Sequence, residues 1–166
     1  MRIFLIGYMY AGKTTVGRQL AARMGLRFLD LDQAIEERYH TSSTLLMERY
    51  GEEAFRKIEQ AMLQQVAQME DVVISTGGGT PCFFDNMEVI LRHGVSVYLL
   101  MTLDEILSRE ACSRKRRPLL AGLTSEEKRD RIAAHLAQRE PYYRRAAITI
   151  PAFNPDLDAL VRLLGK

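Results

Sequence analysis

The sequence has only two cysteines, Cys82 and Cys112, and no metal-ligand spacing relates them. That excludes a disulfide framework or a zinc site and leaves two reduced thiols, as in a cytosolic protein. Charge of one sign is also lacking: 23 Lys and Arg face 21 Asp and Glu, for a net charge of +2. Without a global positive field, neither bulk nucleic-acid binding nor membrane binding is expected, although "RKRR" (Arg114 to Arg117) is a local basic cluster. Long hydrophobic runs are absent at the N-terminus, where the apolar stretch between Arg2 and Gly7 is too short for a signal peptide core or a membrane span. There is no internal repeat, low-complexity tract or linker. These absences lead us to expect one soluble, cytoplasmic domain, and 166 residues with 47% hydrophobic content suffice to bury a core.

What is present is an alternation of short apolar runs and longer helical patterns. The runs are "IFLI" (3–6), "RFLD" (27–30), "VVIS" (72–75), "VSVYLL" (95–100) and "AITI" (147–150). They do not alternate cleanly with polar residues, as expected of strands buried on both faces of a parallel sheet. Between them, Val16, Leu20 and Met24 share one helical face, and Phe55, Ile58, Met62, Val66 and Met69 share another. Ile132 and Leu136 mark a further helix, with Thr124 or Ser125 as its cap and acids in its first turn. The pattern predicts a three-layer α/β domain.

"GYMYAGKT" (7–14) fits the phosphate-loop pattern G-x-x-x-x-G-K-[ST], with a strand before it and an amphipathic helix after it. In that setting backbone N–H groups surround an anion at the positive end of a helix. Lys13 would reach the terminal phosphates and Thr14 would ligand Mg²⁺. Tyr10 stands where many such loops carry a third glycine. Because the loop binds through backbone N–H groups, an outward-pointing Tyr10 side chain is tolerable wherever φ stays negative.

"FLDLDQAIEE" puts Asp30 and Asp32 at the carboxyl edge of the second strand, on one side if the chain stays extended. Two such carboxylates beside a metal–nucleotide suit ordering of the metal's water shell and acceptance of a hydroxyl proton. Helix capping is the alternative role for Asp32. "GEEAFRKIE" places Arg56 and Glu59 three apart on one helix face, the spacing of an ordinary surface ion pair as well. Gly77, Gly78 and Gly79 follow a strand directly, where they permit close approach of backbone to a ligand or form a plain turn. "SRKRRPLLAG" (113–122) has the composition of a mobile, arginine-bearing lid, and "AQREPYYRR" ends a helix with Arg139 just before Pro141.

Together "GYMYAGKTTVGRQLA", "FLDLDQAIEE", "GEEAFRKIE", "STGGGT", "RPLLAG" and "AQREPYYRRAA" resemble the shikimate kinases, in family order over nearly the whole chain. The resemblance implies a five-stranded parallel sheet with a phosphate loop, flanking helices and a lid. It implies one kinase domain over 1–166, with a shikimate-binding segment at about 31–62 and a lid at about 112–124. The implied reaction is Mg²⁺-dependent transfer of the ATP γ-phosphoryl group to the 3-hydroxyl of shikimate, in a monomer. ATP would contact Gly7, Tyr10, Ala11, Gly12, Lys13, Thr14 and Thr15, and Asp30 would act on the metal through water. Asp32 would hold the shikimate hydroxyls and serve as base. Arg56 and Arg139 would grip the carboxylate, with Gly78 and Gly79 against the ring. Arg117 would meet the transferring phosphoryl group, and Arg109 and Pro155 would flank the adenine.

Three features depart from the family pattern. Tyr10 replaces its usual glycine, Met47 stands where an aromatic is often found, and the register leaves Arg109 and Glu110 as alternatives. The alternative is another small-molecule kinase of similar fold, acting on gluconate, which also has a carboxylate and hydroxyls, or on a nucleoside monophosphate. The contexts of Arg56 and Arg139 and the D-L-D element favour shikimate. A nucleotide-binding regulator without transferase activity would lack the base, the lid arginine or the clamp, and all three are present.

Overall fold

The computed structural model describes residues 1–113 and 120–165. Five strands form one parallel sheet: β1 (Arg2–Ile6), β2 (Arg27–Asp30), β3 (Val72–Ser75), β4 (Val95–Leu100) and β5 (Ile148–Pro151). Their spatial order is β2-β3-β1-β4-β5, with Phe4 beside Ile74 on one side and Ser96 on the other. Each strand falls on the apolar run expected of it, shifted by at most a residue or so. Residues 3–6 of β1 and all of β3 are buried, whereas the edge strands β2 and β5 are only partly covered. The order explains the difference, because only the inner strands have a strand on each side and helices on each face.

The chain leaves β1 toward β2 on one side and later crosses from β3 past β1 to β4 on the other. Ligand crevices of open α/β sheets form beyond the carboxyl ends of strands at such a reversal. In chain order the first helices are α1 (Lys13–Met24), α2 (Leu31–Tyr39), α3 (Ser43–Tyr50) and α4 (Glu52–Val66). Beyond them run α5 (Asn86–His93), α6 (Leu103–Cys112), α7 (Ser125–Tyr143) and α8 (Leu157–Leu163). Thr102 and Thr124 close capping boxes with Glu105 and Glu127, which fixes where α6 and α7 begin.

Two helix ends differ from the sequence expectation. The chain leaves α4 at Val66, so Met69 packs on the core from a turn rather than from the helix itself. α7 continues past Arg139 and through Pro141 to Tyr143. Proline costs a helix one N–H and crowds the preceding turn. Here it falls in the last turn, and the fully buried Tyr143 behind it anchors that turn to the sheet.

Candidate active site

The phosphate loop links β1 to α1. Lys13 is 9% exposed, and its Nζ donates to the Gly7 carbonyl at 2.7 Å and the Tyr8 carbonyl at 3.0 Å. The ammonium is thus held over the loop by the loop's own carbonyls. Gly12 takes φ of 80° at the helix cap, which suits a glycine there. Tyr10 also takes a positive φ, 73°, contrary to the expectation of a negative one. This explains why a glycine is the usual occupant, and here a tyrosine carries the left-handed strain. Its carbonyl accepts a bond from Arg109 Nη1 at 2.5 Å.

Asp30 and Asp32 do not lie on a continued strand. β2 ends at Asp30, whose Oδ1 accepts the Gln33 N–H and caps α2, and Asp32 sits in the first helical turn. The cap is therefore Asp30, and Asp32 is released from that role. Thr14 Oγ1 donates to Asp30 Oδ2 at 2.6 Å, which brings a hydroxyl and a carboxylate together at the start of α1. Both aspartates line a cleft of about 400 Å³ together with Tyr10, Lys13, Thr15 and Gly78. A larger groove of about 580 Å³ lies between α2 and α4, but Lys13, Thr14, Asp30, Asp32, Arg56 and Arg139 do not line it.

Burial, with Glu59 and Asp30 adding negative charge, raises the Asp32 carboxyl from 3.8 to about 6, although Lys13 pulls it down. A carboxylate of that basicity is suited to taking a proton from a hydroxyl near neutral pH.

The Arg56–Glu59 pair is not on the surface. Arg56 is 6% exposed and Glu59 1%, with Nη1 and Oε1 3.0 Å apart. The guanidinium also lies 4.1 Å from the centre of the Phe83 ring. Glu59 Oε2 accepts from Thr80 Oγ1 at 2.8 Å, and that hydroxyl accepts from the Gly77 N–H at 2.9 Å. A buried carboxylate is tolerable because these partners satisfy it.

The three glycines are close-approach positions. A β-carbon at Gly77 would lie 2.9 Å from Asp32 Oδ1, and one at Gly78 would lie 3.1 Å from Arg139 Nη1. At Gly79 it would lie 2.7 Å from Arg56. One short stretch of backbone therefore touches Asp32, Arg139 and Arg56 in turn. Tyr143 donates to the Gly78 carbonyl at 2.5 Å, and the charge of Arg139 acts on its hydroxyl. Cys82 feels both arginines, yet burial pushes its thiol up to about 11, so it stays protonated.

On the opposite side of the loop, Arg109 stacks 4.4 Å from the Phe153 ring, and Pro155 is half-buried two residues further on. Glu110 instead pairs with Lys128 at 3.0 Å. Met47 is half-buried against the core. Arg117 lies outside the described residues. Thr80, Phe83 and Tyr143 escaped the sequence reading, because each acts through a partner distant along the chain.

The shikimate kinase family model matches residues 9–157. A shikimate kinase of Parabacteroides distasonis is 52% identical over 91% of this chain and 87% of its own length. The crystal structure of shikimate kinase from Bacteroides thetaiotaomicron superposes with a TM-score of 0.94 at 41% identity, covering 100% of this chain and 99% of that one. Shikimate kinase from Acinetobacter baumannii, solved in complex with shikimate, gives 0.86 at 34% identity over 98% of this chain and 89% of that one. The chain belongs to the shikimate kinase family.

Proposed function

We propose that the cleft transfers the γ-phosphoryl group of ATP to the 3-hydroxyl of shikimate with the following division of labour. The substrate carboxylate is held by Arg56 and Arg139, whose guanidinium groups converge on Gly78 and Gly79. Its hydroxyls face Asp32, which takes the proton of the 3-hydroxyl as that oxygen bonds to the γ-phosphorus. The bond from the γ-phosphorus to the bridging oxygen breaks, and ADP leaves. Lys13 moves from the loop carbonyls to the phosphates and offsets their charge.

The main-chain groups of Gly7, Tyr10, Ala11, Gly12, Thr14 and Thr15 cradle the phosphates, and Arg109 and Pro155 flank the adenine. Thr14 and Asp30 bring a hydroxyl and a carboxylate together, a hard-oxygen pair that fits Mg²⁺. When bound, Mg²⁺ neutralises charge on the β- and γ-phosphate oxygens. We assign the shikimate segment to about 31–62 and a closing lid to about 112–124, with Arg117 meeting the transferring group. We also assign a cytoplasmic monomer.

The observation that carries this reading is the glycine stretch that touches Asp32, Arg139 and Arg56 beside the phosphate loop. Phosphoryl-transfer assays with Mg-ATP and shikimate, gluconate or a nucleoside monophosphate test it. Turnover with shikimate is expected, and silence with shikimate would overturn it.

A further inference from the structure

Tyr8 follows the first glycine of the phosphate loop and is only 2% exposed. Its hydroxyl shares a hydrogen bond of 2.8 Å with His135 Nδ1, and the two rings meet edge-on at 5.4 Å. His135 lies on α7, one turn before Arg139, and Tyr143 lies one turn after it. Residues four apart stack along one helix face, so His135, Arg139 and Tyr143 form a row.

The row is fastened at both ends. His135 is tied to the phosphate loop through Tyr8, and Tyr143 to the glycine stretch through the Gly78 carbonyl. Arg139 sits between the two fastenings. An α-helix is stiff over two turns, so fixing both ends sets the depth and rotation of the side chain between them.

The chemistry of the bridge suits this task. Burial, followed by the charges of Arg139 and Arg56, pushes the His135 imidazole down to about 4, with Glu52 opposing weakly. The ring is therefore neutral near pH 7. It makes a hydrogen bond without placing a second cation beside Arg139 or competing with it for an anion.

We propose that Tyr8 and His135 are positioning residues, whose hydrogen bond holds Arg139 at the place where it meets the substrate carboxylate. The proposal rests on the assignment of Arg139 to the substrate clamp.

Steady-state kinetics of Tyr8→Phe, His135→Leu and His135→Asn, each made in the parent and in an Arg139→Ala background, test it. Loss of one hydrogen bond is worth ~0.5–1.5 kcal/mol, so shikimate KM should rise about two- to twelvefold in Tyr8→Phe and His135→Leu. The kcat and the ATP KM should stay within about twofold, as expected when only substrate binding is lost. The Tyr8→Phe/His135→Leu double variant should match the worse single one, because both remove the same bond. His135→Asn, which keeps a hydrogen-bonding group near Nδ1, should recover most of the loss. In the Arg139→Ala background none of the three substitutions should raise shikimate KM further. Tyr8→Phe removes a single oxygen and gives the comparison if His135→Leu does not fold. An unchanged shikimate KM in Tyr8→Phe, or an equal rise with and without Arg139, would overturn the proposal. If Arg139→Ala itself left shikimate KM unchanged, the clamp assignment would fail first.

Discussion

The main chain at Gly79 runs so close to Arg56 that a β-carbon there would lie 2.7 Å from both terminal guanidinium nitrogens. The guanidinium has little room to retreat, since Glu59 holds it at 3.0 Å and Phe83 covers it at 4.1 Å. Gly79→Ala therefore displaces the arginine assigned to the substrate carboxylate. Weakening one charge-assisted hydrogen bond costs about 1.5–3 kcal/mol, so shikimate KM should rise by about ten- to a hundredfold. The ATP KM should stay within about twofold. Initial rates at varied concentrations of each substrate separate the two.

Asp32 gives a prediction in pH. Its carboxyl is raised from 3.8 to about 6 by burial, Glu59 and Asp30, so the base form is lost as pH falls through about 6. The kcat/KM for shikimate should fall about tenfold per unit below that point. A profile flat down to about pH 5 would remove Asp32 from the role of base.

The same shift makes Asp32 a stability liability. A raised folded pKa contributes stability that is complete below 3.8 and is lost as pH rises through about 6. Asp32→Asn cannot ionise, so at neutral pH it should be more stable than the parent by up to about 3 kcal/mol. Its kcat should fall by several orders of magnitude while ATP still binds. Thermal melts of both proteins from about pH 8 down to about pH 4 should show the gap narrowing.

The strands and α1 were legible because they depend on local pattern, and "KTTVGRQLAARM" became a helix from Lys13 to Met24 without adjustment. The motif residues were legible too, since each carries chemistry in its own side chain. What could not be read was conformation imposed by neighbours. The one hint that Tyr10 has φ of 73° was the glycine usual at its place, and nothing in "MYAG" announces that Arg109, distant in sequence, bonds its carbonyl. Pro141 marked a helix end, yet Tyr143 buried beyond it carried the helix on. The Arg56–Glu59 spacing fits surface and core alike, and Thr80 and Phe83 decide for the core.

Tyr10→Gly isolates the strain. A non-glycine residue in the left-handed region costs about 1–2 kcal/mol. Glycine gives back roughly 0.5–1 kcal/mol through the entropy of the unfolded chain. A net gain of up to about 1.5 kcal/mol in urea melts is expected, with the ATP KM little changed because the backbone donors remain. A clear loss of stability would mean that the ring, rather than the backbone, holds the loop together.

Arg109 and Glu110 can be told apart. Arg109 bonds the Tyr10 carbonyl and stacks on Phe153, while Glu110 turns to Lys128. Arg109→Ala should raise the ATP KM about tenfold, the loss of one charge-assisted or stacking contact, and spare shikimate. Glu110→Ala should leave both KM values within about twofold.

The most direct measurement is a crystal structure of the protein with ADP, Mg²⁺ and shikimate bound together. The account predicts the shikimate carboxylate between Arg56 and Arg139, the ring against Gly78 and Gly79, and the 3-hydroxyl on Asp32 facing the nucleotide. A carboxylate held elsewhere, or a 3-hydroxyl turned away from Asp32, would contradict it.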